Sequence, residues 1–153
     1  MSAINQRLEE LGIELEGTAE PRGNYLNARQ SGNLLFVSGS GPWKDGKRVY
    51  TGKVGKDLDI SEGYEAARLS ALNIIAVLKK ELTELDRVKQ FVKVTGFIAS
   101  SDDFYEQSKV LNGASDLFVE VFCEKGKHAR SAIGTCMLPY NMPVELEVIV
   151  EID

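Results

Sequence analysis

The amino-acid sequence predicts a single α+β domain in which two long helices cover one side of a shared sheet. Two segments carry apolar residues at helical spacing: Ala67, Ala71, Ile74, Ile75, Leu78 and Leu82 in the first, and Phe104, Leu111, Phe118 and Phe122 in the second. Near the C-terminus, Val144 to Ile152 alternates apolar with mostly acidic residues, as a strand with one buried face does. Each helical stripe needs a surface to pack on, and a sheet provides it.

The composition is that of an ordinary globular domain. The chain has 153 residues, of which 43% are hydrophobic and 27% charged, and no Pro/Gly/Ser-rich or highly charged stretch divides it. We therefore expect one domain over residues 1–153. The two cysteines, Cys123 and Cys136, lack the dense spacing of a disulfide framework, so we expect two buried free thiols.

The charge balance argues against a nucleic-acid partner. Lys and Arg number 18 against 23 Asp and Glu, which gives a formal net charge of -5, so the chain lacks an overall basic footprint. The longest apolar run, Ile74 to Leu78, is far too short to cross a bilayer. We expect a cytoplasmic protein with no membrane partner.

The N-terminal part predicts a short helix followed by a β-hairpin. Ser2 to Leu11 carries apolar residues at helical spacing, and Ile13 to Gly17 is a possible edge strand. Tyr25 to Arg29 and Leu34 to Ser38 are strand-like, and the Gly32-Asn33 pair between them suits the positive φ of a hairpin turn.

Local signals mark the ends of the two long helices. Asp59 and Glu62 can form a capping box at the start of the first helix. Ser101 is expected to cap the second helix, and Gly126 is placed to end it in a left-handed turn.

Further strands are predicted around these helices. In Phe91 to Ser100, the side chains of Val92, Val94 and Ile98 are expected to point the same way. Ala129 to Leu138 and Val144 to Ile152 flank a proline-containing turn and are expected to form a second hairpin. Arg48-Val49-Tyr50 is a shorter strand candidate.

Several familiar chemical motifs are absent or incomplete. Gly39-Ser40-Gly41 lacks the third glycine of a dinucleotide fingerprint, and Gly55-Lys56 is followed by Asp57 where a phosphate-binding loop needs Ser or Thr. One histidine and two distant cysteines make a closed metal site improbable, so we expect no metal and no cofactor. His128 is either a general base near neutral pH or an ordinary loop residue.

Arg130 is the most informative residue, because it is a basic residue at the start of an otherwise apolar strand. A guanidinium is a planar fork that matches a carboxylate, so it can bind and orient an acidic substrate. A structural salt bridge to one of the strand glutamates is an equally reasonable interpretation.

Three groups of residues resemble the Rid (YjgF-type) reactive-intermediate deaminase family. Its C-terminal signature is similar to Ala129-Arg130-Ser131, Leu138-Pro139 and Val144-Glu145-Leu146-Glu147. Its tyrosine, Gly-Asn turn and Ser-Gly strand end resemble Tyr25 and the run Ser31 to Gly39 at the same spacing. Phe104, Asn112 and Phe118 resemble its second helix, so the likeness extends from about Gly23 to the C-terminus.

The resemblance implies a chorismate-mutase-like fold with a mixed, mostly antiparallel sheet, assembled as a homotrimer with a ligand pocket between subunits. It also implies hydrolysis of small enamine and imine acids, such as 2-aminoacrylate, to 2-keto acids and ammonia without a cofactor. The site residues that it implies are Arg130, Tyr25 and Glu145 as catalytic groups and Arg130, Ser38, Gly39, Asn112 and Ala132 as substrate-binding positions. From chemistry alone, Glu145 could equally be a solvated strand carboxylate, and Tyr25 a packing residue.

The chain departs from the family pattern in three places. Ala132 stands where many members have a cysteine, which excludes thiol chemistry there, residues 1–22 form an N-terminal extension, and the Tyr140-Asn141-Met142-Pro143 turn also differs. Two other functions therefore remain open. One is a non-catalytic trimer that binds keto acids or related metabolites, and the other, less favoured by the acidic composition, is a ribonuclease.

Overall fold

The computed structural model describes residues 2–153 and has α+β architecture. Its helices are α1 (Ala3–Glu10), α2 (Ile60–Leu82) and α3 (Gln107–Phe122). Its strands are β1 (Ala28–Ser31), β2 (Leu34–Ser40), β3 (Trp43–Lys44), β4 (Lys47–Arg48), β5 (Val88–Ala99), β6 (Ala129–Thr135) and β7 (Val144–Ile152). Short 3-10 turns occupy Leu85–Arg87, Cys123–Gly126 and Pro139–Asn141.

Five strands form one mixed sheet in the order β1-β2-β7-β5-β6. Neighbouring strands are antiparallel except β5 and β6, which run parallel and are connected through α3. Helices α2 and α3 pack against each other and cover one face of the sheet. The predicted fold class, a mostly antiparallel sheet with two long helices on one face and a short leading helix, is confirmed.

The predicted capping box of α2 and the predicted turn of the first hairpin are confirmed. Ser2 accepts a hydrogen bond from the Asn5 amide at the start of α1, and Asp59 and Glu62 form the reciprocal capping box of α2. Gly32 has φ +58°, which provides the left-handed turn residue that the β1-β2 hairpin requires.

The core lies between the covered face of the sheet and the two helices. Phe91 of β5 packs on Phe118 and Phe122 of α3, with ring centroids 4.4 and 5.0 Å apart. Helices α2 and α3 approach closely at Gly113, where a Cβ atom would lie 2.0 Å from the Tyr64 carbonyl oxygen. Glycine is therefore required at that crossing.

The other face of the sheet has no helix over it. It exposes Phe36 and Ile133, whose side chains are 42% and 44% accessible, and a cavity of about 280 Å³ lies on it between polar and apolar side chains. Within residues 2–153, no helix is long and apolar enough to cross a membrane.

Some expected element boundaries are wrong near the N-terminus. Ile13 to Gly17 forms no strand; Ile13 and Leu15 pack on the core, but no neighbouring strand pairs with their backbone. The first hairpin is confirmed, although β1 begins at Ala28 and leaves Tyr25 in the preceding loop. The short strand expected at Arg48 to Tyr50 ends at Arg48 and belongs to the small β3-β4 hairpin.

The second half also differs from expectation. Val92 is 37% exposed because a register shift between Phe91 and Lys93 turns it away from Val94 and Ile98. Helix α3 begins only at Gln107, and the Ser101 hydroxyl bonds Asp103 instead of capping it.

The end of α3 differs as well. Cys123, with φ +53°, is the residue that terminates it in place of Gly126. Both cysteines are exposed free thiols, so the prediction that they are buried was wrong.

The predicted second hairpin is also wrong, because β6 and β7 are not neighbours. Strand β5 lies between them, parallel to β6 and antiparallel to β7. The alternation in each segment identifies a strand correctly but carries no information about which strand it pairs with.

Candidate functional site

Arg130 lies on the edge strand β6 and points toward α3. On the sheet face that the helices cover, Arg130 is in register with Val94 of β5. Val94 is in turn in register with Val148 of β7, and Val148 with Val37 of β2. Its NH1 donates to the Ser115 hydroxyl at 3.1 Å and its NH2 to the Ser108 carbonyl at 3.2 Å. Both acceptors are uncharged groups of α3.

The Arg130 guanidinium has no acidic partner within residues 2–153. The salt bridge to a strand glutamate, one of the two interpretations that the sequence left open, is therefore absent from this chain. Two of its five N–H groups are engaged and the residue is only partly buried, so donors remain for a ligand. A half-shielded cation without a counter-ion is a fitting receptor for a carboxylate.

A polar stripe on α3 lines the Arg130 side chain. Ser108, Asn112 and Ser115 are separated by four and three residues, so they lie on one face of the helix. Arg130 bonds the Ser108 backbone carbonyl and the Ser115 hydroxyl, and Asn112 lies between these two residues along the helix. The predicted residues Arg130 and Asn112 thus belong to one group.

His128 extends this group at the start of β6. Its Nε2 lies 2.9 Å from the Ser115 hydroxyl, and its Nδ1 lies 2.6 Å from the Gly126 carbonyl. Burial, and to a lesser degree the positive charge of Arg130, lowers the pKa of His128 although its bond to Gly126 opposes this.

Ser38, Gly39 and Glu145 form a second group at the junction of β2 and β7. A Cβ atom on Gly39 would lie 2.2 Å from the Glu145 Oε1, so the carboxyl group rests against the Gly39 backbone. Burial raises the pKa of Glu145, and the nearby Glu147 raises it further. The Ser38 hydroxyl donates to the Leu26 carbonyl at 2.6 Å.

Tyr25 belongs beside this second group. Ser38 bonds Leu26 and Asn27 through its hydroxyl and its amide, which ties the loop containing Tyr25 to β2. The Tyr25 ring is 53% exposed, and its hydroxyl accepts a bond from the Arg22 amide at 3.4 Å. Packing in the core is therefore not its role.

The two groups lie on opposite faces of the sheet. Glu145 is in register with Phe97, and Phe97 with Ile133 of β6, on the face that the helices leave open. Two strand spacings of about 4.8 Å separate β6 from β7, and Glu145 lies three residues along β7 from Val148, which is in register with Arg130 through Val94. Glu145 and Arg130 are therefore about 14 Å apart in the plane of the sheet and point in opposite directions. One chain does not bring the predicted catalytic residues together.

Ala132 lies two residues beyond Arg130 on the same face. Its side chain packs against the core, and β6 is an edge strand, so part of its backbone has no partner strand. The Ala132 position can therefore contribute backbone groups to a ligand but no side-chain chemistry.

The site residues that the sequence did not indicate are Ser108 and Ser115. Their spacing around Asn112 is a polar stripe on a helix whose opposite side is apolar, and that stripe was the available signal. Within the described chain, no group of three or more His, Cys, Asp or Glu residues is arranged to hold a metal ion.

Comparison with protein families matches residues 5–152 to the family described as "YjgF/chorismate mutase-like, putative endoribonuclease". Protein TCP17 of Trypanosoma cruzi is 44% identical over 151 residues, which are 98% of this chain and 94% of that protein.

Solved structures show the same fold. Protein Atu1372 of Agrobacterium tumefaciens, described as of unknown function, is 46% identical with a TM-score of 0.91, covering 98% of this chain and 92% of that one. A protein of Shewanella oneidensis described as a "putative endoribonuclease" is 37% identical with a TM-score of 0.95, covering 99% and 100%. YyfA of Yersinia pestis, described as of the conserved Rid family, is 27% identical with a TM-score of 0.65, covering 90% and 97%.

Proposed function

The chain belongs to the YjgF/Rid family, with its chorismate-mutase-like fold, and from this premise we propose that it hydrolyses small enamine and imine acids to 2-keto acids and ammonia. The observation that carries the proposal is the Arg130 guanidinium, held by two neutral oxygens and without an acidic partner in the described chain. An anionic substrate supplies the missing counter-ion.

In the proposed reaction, Arg130 binds the substrate carboxylate, with Asn112 and the backbone at Ala132 beside it. Glu145, Ser38, Gly39 and Tyr25 complete the site from the opposite side. The raised pKa of Glu145 makes its carboxylate a stronger base, which suits it to take a proton from water.

The chemistry needs little more than orientation, because a protonated imine carbon is already electrophilic. An enamine first takes a proton on carbon, which the Tyr25 hydroxyl of the second group can donate. Water then adds its oxygen to the imine carbon while Glu145 accepts the proton. The nitrogen of the resulting carbinolamine then receives the proton held by Glu145, and the carbinolamine O–H proton passes to the Tyr25 oxygen. Ammonia leaves as the C=O bond forms, so both residues return to their starting states.

We propose further that the protein is a homotrimer with its sites between subunits. The two groups of site residues lie on opposite faces of one sheet, so a shared site requires the β6 edge of one copy to meet the β2-β7 junction of another. The open sheet face, with the exposed side chains of Phe36 and Ile133, is a suitable surface for such contacts. Light scattering coupled to size exclusion measures the assembly directly.

The test of the reaction generates 2-aminoacrylate with a serine or threonine dehydratase and follows keto-acid release. Removal of the guanidinium in Arg130→Ala should cost about 2–4 kcal/mol in kcat/KM, or about 30- to 1,000-fold. Arg130→Lys keeps the charge but loses the planar fork, so it should recover only part of the rate. Equal rates for wild type and Arg130→Ala refute the proposal.

Arg87→Ala is the matched control for loss of an arginine. Its guanidinium bonds Asp153 at the far end of β5, so its rate should equal that of wild type. A similar loss in both variants would indicate a general effect on folding.

The same proteins distinguish the other two functions. A binding protein would take up 2-oxobutanoate in calorimetry without any turnover of 2-aminoacrylate. A ribonuclease, which the description of the matched family names, would cleave RNA and bind it in a salt-dependent way. The net charge of -5 disfavours this last outcome.

A further inference from the structure

A continuous chain of hydrogen bonds leads from Arg130 into the body of the protein. Arg130 donates to Ser115, the Ser115 hydroxyl contacts His128, and His128 contacts the Gly126 carbonyl. Gly126 is fully enclosed against α3, since a Cβ atom there would lie 2.1 Å from the Phe118 carbonyl oxygen. The Gly126 end of this series of hydrogen bonds is therefore fixed in place.

The donors and acceptors in this chain follow from elementary rules. A carbonyl oxygen only accepts, so the His128 Nδ1 carries the proton and, in the neutral ring, Nε2 is the acceptor. The Ser115 O–H then donates to Nε2, which leaves the Ser115 oxygen lone pairs free for the Arg130 N–H. Each bond sets the direction of the next.

The surroundings of His128 isolate its interaction with Ser115 and Arg130. The edge of its ring contacts Phe118, with centroids 5.9 Å apart, so the α3 side is apolar apart from Ser115. Other charged groups on the flanking elements have partners of their own: Lys127 with Glu124, Asp116 with Tyr64, and Glu120 with Arg68. Lys93 donates to the Ser131 hydroxyl and Lys125 to the Val88 carbonyl. Arg130 is left as the charge that acts on the ring, in agreement with its effect on the pKa of His128.

We propose that Ser115 and His128 are positioning residues that hold the Arg130 guanidinium in the orientation in which it binds the substrate carboxylate. This inference rests on the proposed function for its effect on catalysis, but the electrostatic coupling between His128 and Arg130 does not depend on turnover. Both bonds share the Ser115 oxygen, at 2.9 and 3.1 Å, so the His128 and Arg130 nitrogens are no more than about 6 Å apart and feel each other's charge.

The coupling is measurable because His128 is the only histidine in the sequence, so its ring signals in NMR need no assignment. We expect an Nδ1–H tautomer in the neutral form and a pKa below the ordinary value. Arg130→Gln removes the neighbouring positive charge, so the His128 pKa should rise in that variant. Ser115→Ala should alter the Nε2 chemical shift, whereas Ser115→Thr, which keeps the hydroxyl, should restore it.

The catalytic consequence appears in KM. The carboxylate is gripped in ground state and transition state alike, so Ser115→Ala should raise KM about tenfold with a smaller change in kcat. His128→Phe removes the acceptor but keeps an aromatic edge on Phe118, and should raise KM by a smaller factor of about three. His128→Gln, which can accept through its Oε1, should remain near wild type.

The outcomes separate this inference from the proposed function. An unchanged KM in Ser115→Ala, or a His128 titration that is identical in wild type and Arg130→Gln, overturns the positioning role. A wild type without turnover instead overturns the proposed function, and the NMR measurement then decides the coupling by itself. A purely structural role would lower the thermal midpoint of Ser115→Ala and leave both KM and the His128 titration unmoved.

Discussion

Complementation between two inactive variants tests the arrangement of the site most directly. Arg130 and Glu145 lie on opposite faces of the sheet with β5 between their strands, so a working site must take them from two chains. Arg130→Ala lacks the proposed carboxylate receptor, and Glu145→Gln lacks the group proposed to activate water. In the proposed homotrimer, a mixture of the two variants contains sites in which both residues are intact.

The expected recovery follows from counting. In a cyclic trimer that carries both variants, about one site in three pairs an intact Arg130 with an intact Glu145 from the neighbouring copy. The doubly tagged trimers should therefore recover about a third of the wild-type rate, while each variant alone stays below about 3% by the 30-fold minimum loss expected for a charge-pair or acid-base group. If each site drew both residues from one chain, mixing would restore nothing.

The assay co-expresses the two variants with different affinity tags and purifies trimers that carry both. Keto-acid release from 2-aminoacrylate is then compared with that of each variant alone. A mixture of Arg130→Ala with the double variant of Arg130 and Glu145 serves as the control and should remain inactive. Doubly tagged trimers with no more activity than the separate variants would refute the shared-site geometry.

Substitutions at two glycines separate effects on the site from effects on the fold. Gly39→Ala places a Cβ 2.2 Å from Glu145 Oε1, so it should displace that flexible carboxyl group and lower kcat about tenfold or more. The free energy of unfolding, measured with urea, should change by about 1 kcal/mol or less. Gly113→Ala drives a Cβ to 2.0 Å from the Tyr64 carbonyl oxygen, and should lower the urea midpoint by an amount equivalent to about 2–4 kcal/mol. Gly17→Ala, which meets no atom within 4 Å, is the control for both, and an equal effect at Gly17 would contradict the reasoning.

Local signals in the sequence predicted the parts of the fold that local chemistry determines. The Asp59-Glu62 capping box and the Gly32 turn depend on residues within a few positions of one another, and both are present. The alternation in β7 correctly identified its buried face. These features need no knowledge of the distant parts of the chain.

Pairing between distant strands was beyond the reach of the same signals. The position of β7 between β2 and β5 depends on how the whole sheet assembles, so two consecutive strands were mistaken for a hairpin. The register shift that exposes Val92 is likewise a property of the β5-β7 pair and not of the β5 sequence. Propensity alone therefore gives strands without giving their order.

The candidate site shows the same division. Arg130 was identifiable from its unusual place in an apolar strand. Its separation from acidic groups within the described chain agrees with its interpretation as a group that binds a carboxylate. Its α3 partners Ser108 and Ser115 come from 22 and 15 residues away in sequence, so only the packing of α3 on β6 reveals them. The roles assigned to the site residues all stay predictions: Arg130, Tyr25, Glu145, Ser38, Gly39, Asn112 and Ala132.

The central place of β7 has a consequence for biosynthesis. This strand leaves the ribosome after all the other elements described above, yet it joins the β1-β2 hairpin to the β5-β6 pair. Until β7 emerges, both halves of the unfinished sheet expose unpaired strand edges, through which a nascent chain can aggregate with its neighbours. Slow translation of the codons for β7 should therefore lengthen the interval in which these edges are exposed.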